Sequence, residues 1–194
     1  MEKTPPRTDP RVLRTRQLLR DAFIELLHEM DIEKISVNRL TERATINRVT
    51  FYLHYRDIPD MLEKMADEMI SEIRGVLQKT PASSNSPEEE LSVLVHLLEH
   101  IAEHAQFYKA VLALKRIPIF TDRLLKLLAE LVSARIVELI KEGSRSTDGI
   151  QQDIAIWYGS SALIGTIVSW LRNDMPYTPL YLAKQFYLLR TLPR

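Results

Sequence analysis

Apolar residues recur along most of this chain at three- and four-residue spacing, the period of a helix that buries one face. A first helix is predicted to start at the cap Asp9, with Pro10 at its first position, and to end near Asp31, burying Leu19, Phe23, Leu26, Leu27 and Met30. Ser36 is read as the cap of a short helix reaching about Arg43, with Val37 and Leu40 inward, and Asn47 as the cap of another reaching about Tyr55. Asp57 and Asp60 open a fourth, with Ile58, Met61, Leu62, Met65 and Met69 on one side, running toward Leu77.

The stretch KTPASSNSP, residues 79–87, is predicted to be a long loop or boundary, and Ser86-Pro87-Glu88-Glu89 combines a capping box with a helix-starting proline. Five further helices are predicted: about Pro87 to His104, Gln106 to Leu114, Phe120 to Glu142 with a stop at Gly143, Ile150 to Arg172, and Thr178-Pro179 to about Leu192. The fold class is therefore all-α with about nine helices. An N-terminal three-helix domain over residues 1–57 precedes a C-terminal helical domain over 58–194, in which 58–79 is a connecting helix.

Composition supports this reading and removes several chemistries. Five glycines in 194 residues suit helices better than a sheet protein rich in tight turns. With no cysteine, disulfides, thiolate metal sites and cysteine nucleophiles are excluded. No signal-peptide pattern opens the chain, and the most apolar segment, Ile154 to Leu171, is interrupted by Tyr, Gly, Ser and Thr, so a cytoplasmic protein that does not span a membrane is expected. The net charge is zero, yet residues 1–20 carry six basic against two acidic side chains, a local +4. A small basic footprint of that kind permits contact with nucleic acid.

Only Ala44, Thr45 and Ile46 separate the second and third helices, the spacing of a helix-turn-helix whose second member can lie in a major groove. Residues 35–57 read ISVNRLTERATINRVTFYLHYRD, and the run Thr50-Phe51-Tyr52-Leu53-His54-Tyr55, with Ala44 and Asn47 around the turn, resembles the DNA-binding motif of the TetR family of transcriptional regulators. Phe51 and Tyr55, four apart, can point inward together. Arg48 can then read guanine bidentately, Val49 or the Thr50 methyl can meet a thymine methyl, and Thr50, Tyr52 and His54 can donate to phosphates. The resemblance implies DNA contacts among Ser36, Asn38, Asn47, Arg48, Val49, Thr50, Tyr52, His54 and Tyr55, with Arg14 and Arg16 as further candidates for phosphate. Two positions depart from the family pattern: Thr45 stands where a turn glycine is usual, and Ile58 where a lysine often is.

The resemblance further implies a homodimer bound to a pseudo-palindromic double-stranded operator, acting as a repressor and released by a small-molecule effector. An effector cavity would involve His100, His104, Phe107, Tyr108, Phe120, Trp157 and Tyr158. A four-helix dimer interface would use Ile164, Ile167, Val168, Leu171, Phe186 and Leu189. Neither cofactor nor metal is expected. His96, His100 and His104 fall at i, i+4 and i+8, a spacing that permits two neighbouring imidazoles to share an ion, with the missing ligands supplied from elsewhere. No nucleophile elbow, phosphate-binding glycine loop or HExxH motif points to an enzyme. The rival readings are a metal-dependent enzyme using the histidine row, and a ligand-binding or interaction protein of the same fold without operator affinity.

Overall fold

The computed structural model describes residues 9–78, 87–114, 117–141 and 149–191; the side chains of 87–90, 141, 190 and 191 are not described. Among these residues there are nine α-helices and no strand. They are α1 Pro10–Glu29, α2 Val37–Arg43, α3 Arg48–His54, α4 Ile58–Leu77, α5 Pro87–Glu103, α6 Ala105–Tyr108, α7 Pro118–Lys141, α8 Gln152–Arg172 and α9 Pro179–Thr191. The expected long loop, the capping box at Ser86, the stop at Gly143 and the end near Leu192 lie outside the described residues or side chains.

Two compact units make up the chain, one up to Met65 and one from Ala66 onward. The division falls inside α4, later than the expected boundary at residue 57. Its first turns are tied to the N-terminal unit: Lys64 Nζ donates to the His54 carbonyl oxygen at 2.9 Å, and Asp60 Oδ2 accepts from the Arg56 backbone N–H at 2.9 Å.

In the N-terminal unit each helix begins where a short polar side chain satisfies an otherwise orphaned amide. Asp9 Oδ1 accepts from Arg11 N at 2.9 Å, Ser36 Oγ from Arg39 N at 3.4 Å, Asn47 Oδ1 from Val49 N at 2.8 Å and Asp57 Oδ1 from Asp60 N at 2.8 Å. Leu19, Ala22, Phe23, Leu26 and Leu27 of α1, Leu40 of α2 and Phe51 of α3 are buried. Each large side chain among them contributes about 1.5–3 kcal/mol on leaving water.

The turn after α2 closes with two bonds, Thr45 N–H to the Glu42 carbonyl at 3.1 Å and Ile46 N–H to the Thr41 carbonyl at 3.0 Å. This pair is the Schellman arrangement, which places its central residue in left-handed backbone. That residue is Thr45, with φ 54°. The end of α2 is also clamped to α1, because Arg43 Nη1 and Nη2 grip Glu29 at 2.8 and 2.7 Å while Nη1 reaches Glu25 at 3.2 Å. The Arg43 hydrogen bond holds the Glu29 carboxyl below its usual range.

In the C-terminal unit α7 packs along α8 and α5 against α9; Leu97, Leu98 and Ile101 of α5, Leu182 and Ala183 of α9, Leu124, Leu127 and Leu128 of α7 and Ile167, Trp170 and Leu171 of α8 are buried. The short helix expected over Gln106–Leu114 is instead α6 followed by a π-helical turn, Lys109–Leu114. Ala110, Val111, Leu112 and Ala113 are all buried there, a run that no single face of a regular helix could hide.

Candidate nucleic-acid interface

Helix α3 is divided sharply between an inner and an outer side. Phe51 is fully buried, whereas Arg48, Val49, Tyr52 and Leu53 face solvent, Val49 at 66% and Leu53 at 76% exposure. The ring centroids of Phe51 and Tyr55 lie 5.5 Å apart, as do those of Phe51 and Tyr52, the latter edge-on. Such packing fixes the rotation of α3 about its own axis and so decides which side chains face outward.

Tyr55 requires a correction. At 2% exposure it belongs with the inward rings, and it is not presented to a partner in the way expected for a contact residue. Asn47 is exposed, but its side-chain oxygen is engaged as the cap of α3 and only its amide N–H groups remain outward. Ser36 and Asn38 are exposed at the front of α2, and Thr50 is half-buried on the flank of α3.

Arg48 and Tyr52, one turn apart, form a pair. Arg48 Nη2 donates to the Tyr52 hydroxyl oxygen at 3.0 Å, and Cζ lies 5.5 Å from the centre of the Tyr52 ring. His54, at the end of α3, is half-buried; desolvation first, and then the positive charges of Arg16 and Lys64, push its pKa down from the ordinary value. A phosphate arriving at that edge would meet a cluster of cationic and N–H donors. Lys64 and Leu53 carried no signal in the sequence pattern: the first acts through a backbone carbonyl ten residues away, and the second is an apolar residue with no inward partner.

The C-terminal unit brings together five of the seven residues expected around an effector cavity. The rings of Phe107 and Phe120 are 5.5 Å apart, those of Phe107 and Tyr108 5.5 Å, those of His100 and Tyr108 5.9 Å and those of His100 and His104 4.7 Å. Trp157 and Tyr158 do not join them. At 63% and 78% exposure they stand on the outer face of α8, so their assignment to a pocket wall within the subunit is corrected.

The same rotation corrects part of the expected interface. Ile167 and Leu171 are buried in their own subunit, Ile164, Val168 and Phe186 are half-buried, and Leu189 is exposed. The outward stripe of α8 is Ile154, Trp157, Tyr158, Ser161, Ala162 and Gly165, and α9 adds exposed Leu180, Tyr181 and Leu188. Among the described helices α8 is also the one long and apolar enough to cross a membrane.

A bundle of helices carrying a capped helix-turn-helix with one exposed polar flank defines a helix-turn-helix protein of the regulator class. Comparison places it further. The family model described as "Transcriptional regulator C-terminal region", of the TetR type, matches residues 88–191, and the chain belongs to the TetR family of transcriptional regulators. It is 34% identical over 100 residues, 48% of its length, to an uncharacterized HTH-type transcriptional regulator, YxbF, of Bacillus subtilis (strain 168), and spans 26% of the length of that relative. A TetR transcriptional regulator from Streptococcus agalactiae 2603V is 26% identical and superposes with a TM-score of 0.67 over 93% of this chain and 95% of the other. The fatty acid degradation regulator FadR from Bacillus halodurans, 15% identical, shares the fold with a TM-score of 0.74 over 97% and 96%.

Proposed function

We propose that this chain is a homodimeric, cytoplasmic repressor that binds a pseudo-palindromic operator through the exposed flank of α3 and leaves it when a small molecule binds the C-terminal unit. The observation that carries the reading is the split of α3: Phe51 and Tyr55 lock the helix from within, while Arg48 and Val49 at its N-terminal end, and Tyr52 one turn on, stand in solvent. Helix-turn-helix proteins read base edges with that end of the second helix. Ser36, Asn38, Asn47, Thr50 and His54 border it and supply phosphate donors. Two such helices in a symmetric dimer would enter successive major grooves about 34–36 Å apart.

The outward apolar stripe of α8, with Trp157 and Tyr158 at its head, supports the pairing of two subunits, because apolar surface of that extent calls for cover. The aromatic cluster of Phe107, Tyr108 and Phe120 supports an effector site in the C-terminal unit. Release requires only that the effector prefer one of two conformers, with a coupling of about 1–3 kcal/mol. The reading is regulatory and not enzymatic.

Selection of bound duplexes from a random pool, followed by titration at several salt concentrations, tests it. A recovered palindrome whose affinity falls steeply with salt supports the proposal. A pool that stays random, with no salt-dependent retention, would overturn it in favour of a ligand-binding protein of the same fold. Whether the bound protein lowers or raises transcription from the recovered sequence decides the sign of regulation.

A further inference from the structure

At the joint between α5 and α6 a third side chain, Glu103, joins two histidines that the regulator reading places at the effector cavity. His100 and Glu103 lie in the last turn of α5, and His104 is the residue between the two helices, with φ −107° and ψ 31°. One candidate ligand atom from each of the three lies within 4.8 Å of the other two. We propose that His100, Glu103 and His104 bind a divalent first-row transition-metal ion of the zinc class, with the fourth coordination position left to water or a small ligand.

The donor chemistry selects the ion. Two imidazoles and one carboxylate are a set that zinc accepts with one position open, whereas magnesium and calcium favour an all-oxygen shell. Glu103 and His104 stand three and four residues after His100, each across one turn from it, and the three side chains meet at the end of α5 with no distant partner. Glu103 is the third ligand, which the histidine spacing alone leaves to come from elsewhere. The order His-x-x-Glu-His also occurs in zinc hydrolases whose glutamate activates a metal-bound water. That role needs a further protein ligand from elsewhere, and among the described residues this trio is the group with metal-binding geometry. Glu103 is therefore assigned as a ligand.

Geometry and burial divide the labour. With bonds of about 2.1 Å, tetrahedral ligand atoms sit about 3.4 Å apart, so from separations within 4.8 Å the trio need close by no more than about 1.4 Å. His100 is buried, its ring edge-on to those of Tyr108 and His104, and it offers a fixed donor. Glu103 and His104 are exposed and can rotate onto an ion entering from solvent. Closure would fasten the last turn of α5 to the start of α6, where the backbone bonds His104 N–H to the His100 carbonyl and Tyr108 N–H to the His104 carbonyl are both 3.2 Å.

Untagged full-length protein, freed of metal and titrated with zinc against a chromogenic chelator, tests the proposal. One ion per chain is expected. Glu103→Gln and His104→Ala, both at exposed positions, should each weaken binding by about ten-fold or more, since even residues that only support ligands cost that much. His96→Gln should leave affinity unchanged. Zinc should also raise the melting temperature of the wild-type protein and not that of His104→Ala. Absence of stoichiometric binding, or equal affinity in wild type and His104→Ala, overturns the site. Retained affinity in Glu103→Gln with loss in His104→Ala overturns the assignment of Glu103 as a ligand.

Discussion

The guanidinium of Arg48 is held by the hydroxyl of Tyr52, 3.0 Å away, with its carbon 5.5 Å from the centre of the same ring. The two most prominent polar side chains on the exposed flank of α3 are thus one unit. Alanine at Arg48 and alanine at Tyr52 are not clean separate probes of base reading and phosphate contact, because loss of the ring also releases the arginine. A double-mutant cycle with Arg48→Ala and Tyr52→Phe, read as affinity for the selected duplex, should return a coupling of about 0.5–1.5 kcal/mol. Strict additivity would show that the pair separates on binding.

The turn between α2 and α3 carries strain that a single substitution can relieve. Thr45 occupies left-handed backbone, φ 54°, where a β-branched residue costs about 1–2 kcal/mol more than glycine. Glycine gives part of that back through the freedom it adds to the unfolded chain. Thr45→Gly should therefore stabilise the protein by about 0.5–1 kcal/mol in urea unfolding, with the denaturant dependence unchanged. A loss of stability would mean that the threonine side chain makes a compensating contact.

How much of this was legible beforehand differs between the two halves of the chain. The caps Asp9, Ser36, Asn47 and Asp57 announce themselves, because only a short polar side chain can satisfy the first amides of a helix. The inward pair Phe51 and Tyr55 follows from spacing alone. In α8, by contrast, apolar and small residues surround the helix on every side, and period cannot say which side meets its own subunit. For that reason Ile167 and Leu171 are expected at an interface and Trp157 and Tyr158 in a pocket, whereas the structure buries the first pair within the subunit and exposes the second. Lys64 was illegible for another reason: its partner is a carbonyl group, which every residue has.

His54 should give the stability curve a recognisable slope. Its folded-state pKa lies below the ordinary 6.5 because of desolvation and the facing charges of Arg16 and Lys64. As pH falls below about 6.5 the unfolded chain takes up the proton first, so stability declines until the folded-state value is passed. His54→Gln should remove this component. If His54 donates to a phosphate, affinity for DNA moves the opposite way, rising over the same interval as the anion favours the imidazolium. Parallel slopes in unfolding and binding would rule out that contact.

Two glycines of α8 separate packing within a subunit from packing between subunits. A methyl group at Gly159 would meet Val132 Cγ1 of α7 at 3.1 Å, while one at Gly165 would meet nothing within 4 Å, as at Gly75 in α4. Alanine in an open helical position gains about 1 kcal/mol over glycine, so Gly75→Ala should stabilise by that amount. Gly159→Ala should gain less, because Val132 is β-branched and yields poorly. Gly165 lies on the outward stripe with Trp157. If a second copy covers that stripe, Gly165→Ala should weaken dimerisation in sedimentation while Gly75→Ala does not, and emission from Trp157 should shift to the red on dilution. Trp170, buried with its indole N–H donating to the Tyr177 carbonyl at 2.9 Å, supplies an internal reference that stays constant. A Gly165→Ala protein as dimeric as the wild type would place the subunit contact elsewhere on the chain.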